Sequence, residues 1–173
     1  AGDLITKPVQ VCLTYAAEAA GYILHLTANQ PFLIQGLCNR VFQLATHKQH
    51  PTVTKAMVEA ATDSFLAESD HFTGLWHEDV DSDRRRLILL LCQQRVASSH
   101  SALSLSDLRE RLDKGGIDVD DEALIQDVEA LQDLELLKPA GSPQARRYEI
   151  ALPLMGKWLE KYQDRAAIQK RAQ

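Results

Sequence analysis

No apolar run in this sequence approaches the ~20 residues that a membrane span requires, and no signal-peptide pattern precedes its first helical stretch. Both absences point away from a membrane. Cysteine is scarce: Cys12, Cys38 and Cys92 are the only three in 173 residues, each set inside an apolar helical pattern. Such spacing reads as small buried side chains rather than a disulfide framework, and predicts a reducing, cytoplasmic setting. The one glycine pair, Gly115-Gly116, is followed by Ile117, so the chain has no G-x-x-x-x-G-K-[ST] loop to cradle phosphates. HExxH and CxxC patterns are also missing. The closest histidine pair, His47-x-x-His50, falls in a polar loop, where solvated imidazoles are expected and no metal site is. Nothing marks a cysteine as an activated nucleophile, so no catalytic residue is expected and the chain does not read as an enzyme. The opening residue is Ala1 rather than methionine, which points to a segment of a longer polypeptide.

What is present is ordinary for a globular protein: 45% hydrophobic and 25% charged residues, with a net charge of -5. The charge is uneven. Residues 1–75 carry four basic and six acidic side chains, residues 76–152 ten and sixteen, and residues 153–173 five and two. Direct counting thus makes the middle segment acidic and the end basic.

Periodicity predicts helices almost throughout. Thr14 is placed to cap a first helix with Ala16, Ala19, Ala20, Ile23, Leu24 and Leu26 on one face, ending near Thr27. "TANQ" is a polar turn, and Pro31 then sits at the first position of a second helix, where its missing N–H would have no partner in any case. That helix reads Phe32, Leu33, Leu37, Cys38, Val41, Phe42 and Leu44, a stripe wide enough to pack on more than one side. Thr54 caps a third helix that carries Met57, Val58, Ala61, Phe65, Leu66 and Phe72 and extends toward Trp76.

"HEDVDSD" interrupts the pattern, and Ser82 caps a new apolar face with Leu87, Leu90, Leu91 and Val96. Ser104 and Asp107 form a Ser-x-x-Asp capping box for a short helix that stops at "DKGGID". Another helix runs from about Asp120 to Leu134. "LLKP" and "RRYEIAL" flank a Gly/Ser/Pro turn and predict a two-stranded hairpin, after which Pro153 opens a helix expected to continue past Tyr162. Three helices, a hairpin and a helix are the order of a winged helix-turn-helix domain. The expected organisation is therefore mostly α: a helical domain over 1–77, a winged helix with a small β-hairpin wing over 78–163, and a C-terminal helical extension or linker over 164–173.

Three stretches, "LITKPV", "ILHLTANQPFLIQGLCNRV" and "FTGLWHEDVDSDRRRLILLL", together resemble the C-terminal lid and winged-helix region of STAND-type P-loop ATPases, relatives of the archaeal and origin-recognition AAA+ proteins. The middle stretch is similar to that family's "LTGGxPyllQxLC" lid motif. The resemblance implies a lid bundle followed by a winged helix, acting as a regulatory module that packs on the protein's own N-terminal nucleotide-binding core in one nucleotide state and swings away in another to permit homo-oligomerisation. ATP or ADP with Mg²⁺ would belong to that full-length parent; the chain itself would hold no cofactor. The matching position for the lid's adenine-proximal proline is Pro31, a rigid apolar ring on which a purine can pack, and the junction around Trp76–Ser82 would be the hinge. The chain departs from the motif at Ala28 and Asn29, where a glycine pair is usual. Asparagine tolerates positive φ, alanine much less so.

The alternative is a winged-helix DNA-binding transcriptional regulator. Phosphates demand lysine and arginine from the third helix of such a domain, yet residues 118–135 carry Asp118, Asp120, Asp121, Glu122, Asp127, Glu129, Asp133 and Glu135 and no basic residue. This makes DNA binding the weaker expectation. Arg146 and Arg147 on the wing, and Arg84–Arg86, are the remaining candidates for phosphate contact or for pairing with the acidic helix. The basic side chains Lys157, Lys161, Arg165, Lys170 and Arg171 read as a solvated face or as a docking surface for an acidic partner.

Overall fold

The computed structural model describes residues 13–47, 52–93, 102–142 and 146–173. "LITKPV", Cys12 and His50 lie outside them. The chain divides into two compact units, the first ending at Asp70 and the second beginning at His71. Both are mostly helical, and each holds one small sheet.

In the first unit, β1 (Thr14–Tyr15) pairs in parallel with β2 (Thr52–Val53), with Thr14 opposite Thr52 and Tyr15 opposite Val53. Thr14 is thus a strand residue and not the expected helix cap. The first helix, α1 (Ala17–Leu26), starts after Ala16 with no side-chain cap. Its neighbours are α2 (Pro31–His47) and α3 (Lys55–Ala67); Thr54 caps α3 as its type predicts, its hydroxyl accepting from the Met57 N–H at 3.4 Å. Ile23, Leu26, Leu33, Ile34, Leu37, Val41 and Val58 are fully buried between the three helices, each removing enough apolar surface from water to contribute about 2 kcal/mol. Gly36 lets α2 and α3 approach closely. A Cβ there would stand 2.8 Å from Phe65 Cε2, closer than packed carbons allow, so a larger residue would have to displace the Phe65 ring.

The second unit begins with α4 (Asp70–Gly74), which straddles the boundary, and a π-helical turn, Leu75–Asp79. The third helix therefore does not extend to Trp76. Phe72, Trp76 and Val80 are buried, and the Arg86 guanidinium donates to the Trp76 carbonyl at 3.0 Å. Within the stretch expected to act as a hinge, Trp76 and Val80 are buried in the second unit, while His77, Glu78, Asp79 and Asp81 are exposed. The division between units accordingly falls before the expected 77/78.

The helices α5 (Asp83–Gln93), α6 (Leu105–Lys114) and α7 (Asp121–Asp133) precede a hairpin of β3 (Leu137–Ala140) and β4 (Arg147–Ile150). Its antiparallel register sets Leu137 opposite Ile150, Lys138 opposite Glu149, Pro139 opposite Tyr148 and Ala140 opposite Arg147. Leu103, just before α6, bridges to the other side of β4, exchanging hydrogen bonds of 2.9 and 2.7 Å with Tyr148. β4 is thus central and β3 an edge, the position where Pro139 removes no needed donor. This order is that of a winged helix. Ser82 accepts from the Arg85 N–H at 3.2 Å, and Ser104 with Asp107 forms the expected capping box. Hydrogen bonds from the Ser104 N–H and hydroxyl hold the Asp107 carboxyl below the usual carboxylate range. After α8 (Pro153–Tyr162) the chain bends at Gln163 and Asp164, so the helix does not run on past Tyr162, and a separate α9 (Arg165–Ala172) packs on α5. The expected extension or linker is an integral helix of the second unit.

Candidate functional site at the start of α2

The turn joining α1 to α2 is a Schellman motif. The Asn29 N–H reaches back to the Leu24 carbonyl at 3.1 Å and the Ala28 N–H to that of His25 at 3.3 Å. The buried Thr27 hydroxyl donates to the Ile23 carbonyl at 2.8 Å. Ala28 and Asn29 both lie in the left-handed region, with φ of 48° and 61°. Both take the backbone conformation that glycine favours. Alanine in this region costs about 1–2 kcal/mol, of which a glycine would give back part as extra chain entropy in the unfolded state. Ala28→Gly is therefore expected to raise the stability of the first unit by about 0.5–1 kcal/mol, read as a higher urea midpoint by circular dichroism. A lower midpoint would contradict it.

The turn delivers Pro31 to the first position of α2 with its ring exposed. Phe32 follows at 67% exposure. The sequence pattern counts Phe32 in a stripe wide enough to pack on more than one side; the structure turns it outward, because the buried face of α2 is defined by Leu33, Ile34, Leu37 and Val41, and residue 32 falls outside that arc. Proline and phenylalanine together make an exposed apolar surface at the helix start, and the first turn of α2 contains no acidic side chain. Phe32 could not be singled out beforehand, since its type alone argues for burial.

The remaining sequence candidates fall elsewhere. The half-buried Cys38 and buried Cys92 have thiols pushed up to about 11 and about 12 by burial, which makes them poor nucleophiles near neutral pH. Burial and the neighbouring Cys38 also raise the Tyr15 phenol. His47 is exposed at the end of α2. Among the described residues no group of three or more His, Cys, Asp or Glu side chains stands together as a metal set, and no helix is long and apolar enough to cross a membrane.

In the second unit three of the arginines offered for phosphate contact, Arg84, Arg85 and Arg86, pair with acidic side chains, whereas Arg146 and Arg147 on the wing stay exposed. Arg84 and Arg85 both donate through Nε to Asp127, the latter at 2.9 Å, and Arg85 also reaches Asp81 at 2.7 Å. Asp127 is only 3% exposed. Arg86 pairs with Asp83 at 3.0 Å, and Arg147 donates to the Ala102 carbonyl at 3.2 Å. The outer face of α7 keeps Asp121, Glu122, Glu129 and Asp133 exposed. A phosphate strand laid on this helix would meet like charge.

Comparison of the chain with protein-family models, with curated proteins and with solved structures finds no match.

Proposed function

We propose that this chain is the regulatory part, lid plus winged helix, of a STAND/AAA+-like signalling ATPase whose nucleotide-binding core lies on the same polypeptide. Under this reading the first unit is the lid, and Pro31 forms one apolar wall against the adenine of ATP or ADP while the core supplies the phosphate and Mg²⁺ contacts. One observation carries it: a tight turn with two successive left-handed residues presents an exposed proline ring at a helix start. A purine face can pack on such a ring without breaking any hydrogen bond. The chain itself does no chemistry in this reading. Its second unit is a protein-interaction element rather than a DNA reader, given an acidic third helix and arginines already paired with carboxylates; association between copies would follow release of the module from the core.

The test uses the full-length polypeptide containing the core. Pro31→Ala keeps a good helix former at the position but removes the ring, and is expected to weaken ATP affinity about fivefold, the loss of roughly 1 kcal/mol of apolar contact. Unaltered affinity, measured by calorimetry, would count against the assigned role.

A further inference from the structure

The C-terminal helix α9 is attached to its unit mainly by polar contacts. Ile168 is its one buried residue. Arg171 grips Asp83 at the start of α5, with Nε and Nη2 each 3.1 Å from a carboxylate oxygen. This guanidinium is the main cause holding the Asp83 carboxyl below its ordinary range. The side-chain amides of Gln169 and Gln173 both donate to one carbonyl, that of Gly115 in the turn after α6, at 3.2 and 2.7 Å. Gly116 in that turn has φ of 79°, and a Cβ on it would come within 3.1 Å of Gln173. Together these contacts tie the α6–α7 turn to the beginning of α5.

The bend that lets α9 reach these partners has one local support, the Asp164 cap, and none of the usual helix breakers. Sharp helix breaks come from proline, glycine or inserted groups, whereas residues 158–170 read WLEKYQDRAAIQK and contain neither proline nor glycine. Lys, Glu, Gln, Arg and Ala are strong helix formers. Gln163 and Asp164 are nonetheless extended, at φ −116°, ψ 132° and φ −96°, ψ 109°. Asp164 compensates in part by accepting from the Ala166 N–H at 2.9 Å. Apart from that cap, local preference favours one straight helix while the docked contacts favour the bend, a conflict that points to a two-state element.

We propose that α9 is a releasable clasp. In one state it folds back and locks the α6–α7 turn onto α5; in the other, α8 and α9 join into a single straight helix that carries Ile168 and Arg171 away from the unit. Release uncovers the Gly115 carbonyl and Asp83 at the turn of the helix pair. The inference concerns the second unit alone and holds whether or not the first unit is a lid.

The experiment is hydrogen exchange read by mass spectrometry on the whole chain, comparing the wild type with an Arg171→Gln, Gln169→Ala double variant and separately with Asp164→Ala, which removes the cap that favours the bend. In both, amides of α9 beyond Ile168 are expected to exchange at least about tenfold faster while α5 and α7 keep their protection. At the same time the amides at 164–166, which face the bend, are expected to become more protected as they enter the straight helix. Wild-type exchange in the double variant would overturn the proposal. So would faster α9 exchange with no gain at 164–166, since that pattern is fraying rather than a second helical state.

Discussion

Asp127→Ala is expected to destabilise the second unit by about 3 kcal/mol, because it leaves two arginines without the carboxylate that holds them. Asp127 is almost wholly buried and receives both Arg84 and Arg85. Those guanidiniums keep partial access to water and, for Arg85, a second partner in Asp81, which holds the cost to the lower end for a broken buried pair. Glu129 on the same helix is exposed, and Glu129→Gln should shift stability by less than about 0.5 kcal/mol. Urea unfolding followed by tryptophan fluorescence reads this unit alone, since Trp76 and Trp158, the two tryptophans of the chain, both belong to it. Equal effects from the two substitutions would show that the arginine pairing contributes little.

Trp158→Ala should cost about 4 kcal/mol, in the range for removing a large aromatic side chain from a packed core. Trp158 is 4% exposed and joins the opening segment of the second unit to its end: its ring lies 6.5 Å from that of Phe72, 6.0 Å from Trp76 and 5.9 Å from Tyr162. The substitution empties the centre of this cluster, so residues 71–80 should lose protection beyond the loss in the unit as a whole. Trp76 remains as the fluorescent reporter, and Trp158→Phe, which retains an aromatic ring, should recover more than half of the loss. If Trp158→Ala left residues 71–80 as protected as in the wild type, the anchoring role of Trp158 would be wrong.

The elements whose signals are local were legible in the sequence. Capping boxes and caps need only a side chain and the three residues after it, so Thr54, Ser82 and Ser104 could be placed from type and spacing. The hairpin was legible because turn residues separate two alternating runs, and Pro31 and Pro153 marked helix starts for the same local reason. Thr14 misled because a threonine before an apolar run fits a cap as well as a strand; only the partner strand at Thr52–Val53, far along the chain, decides between them.

At the candidate site, the sequence supplied Pro31 and the peculiarity of Ala28 and Asn29. It could not supply their shared left-handed backbone, which the Schellman hydrogen bonds enforce, nor the outward turn of Phe32. In the second unit the sequence established that residues 118–135 are acidic throughout. Which of those carboxylates is buried, and that Arg84 and Arg85 converge on it, depended on how α5 packs against α7. The bend at Gln163 and Asp164 is the clearest division of this kind. Propensity predicts helix on both sides of that bend, because helix hydrogen bonds close within four residues; the sequence offers Asp164 as a cap there, but that the following helix folds back so that Arg171, Gln169 and Gln173 reach Asp83 and Gly115, distant in sequence, is visible only in the tertiary structure.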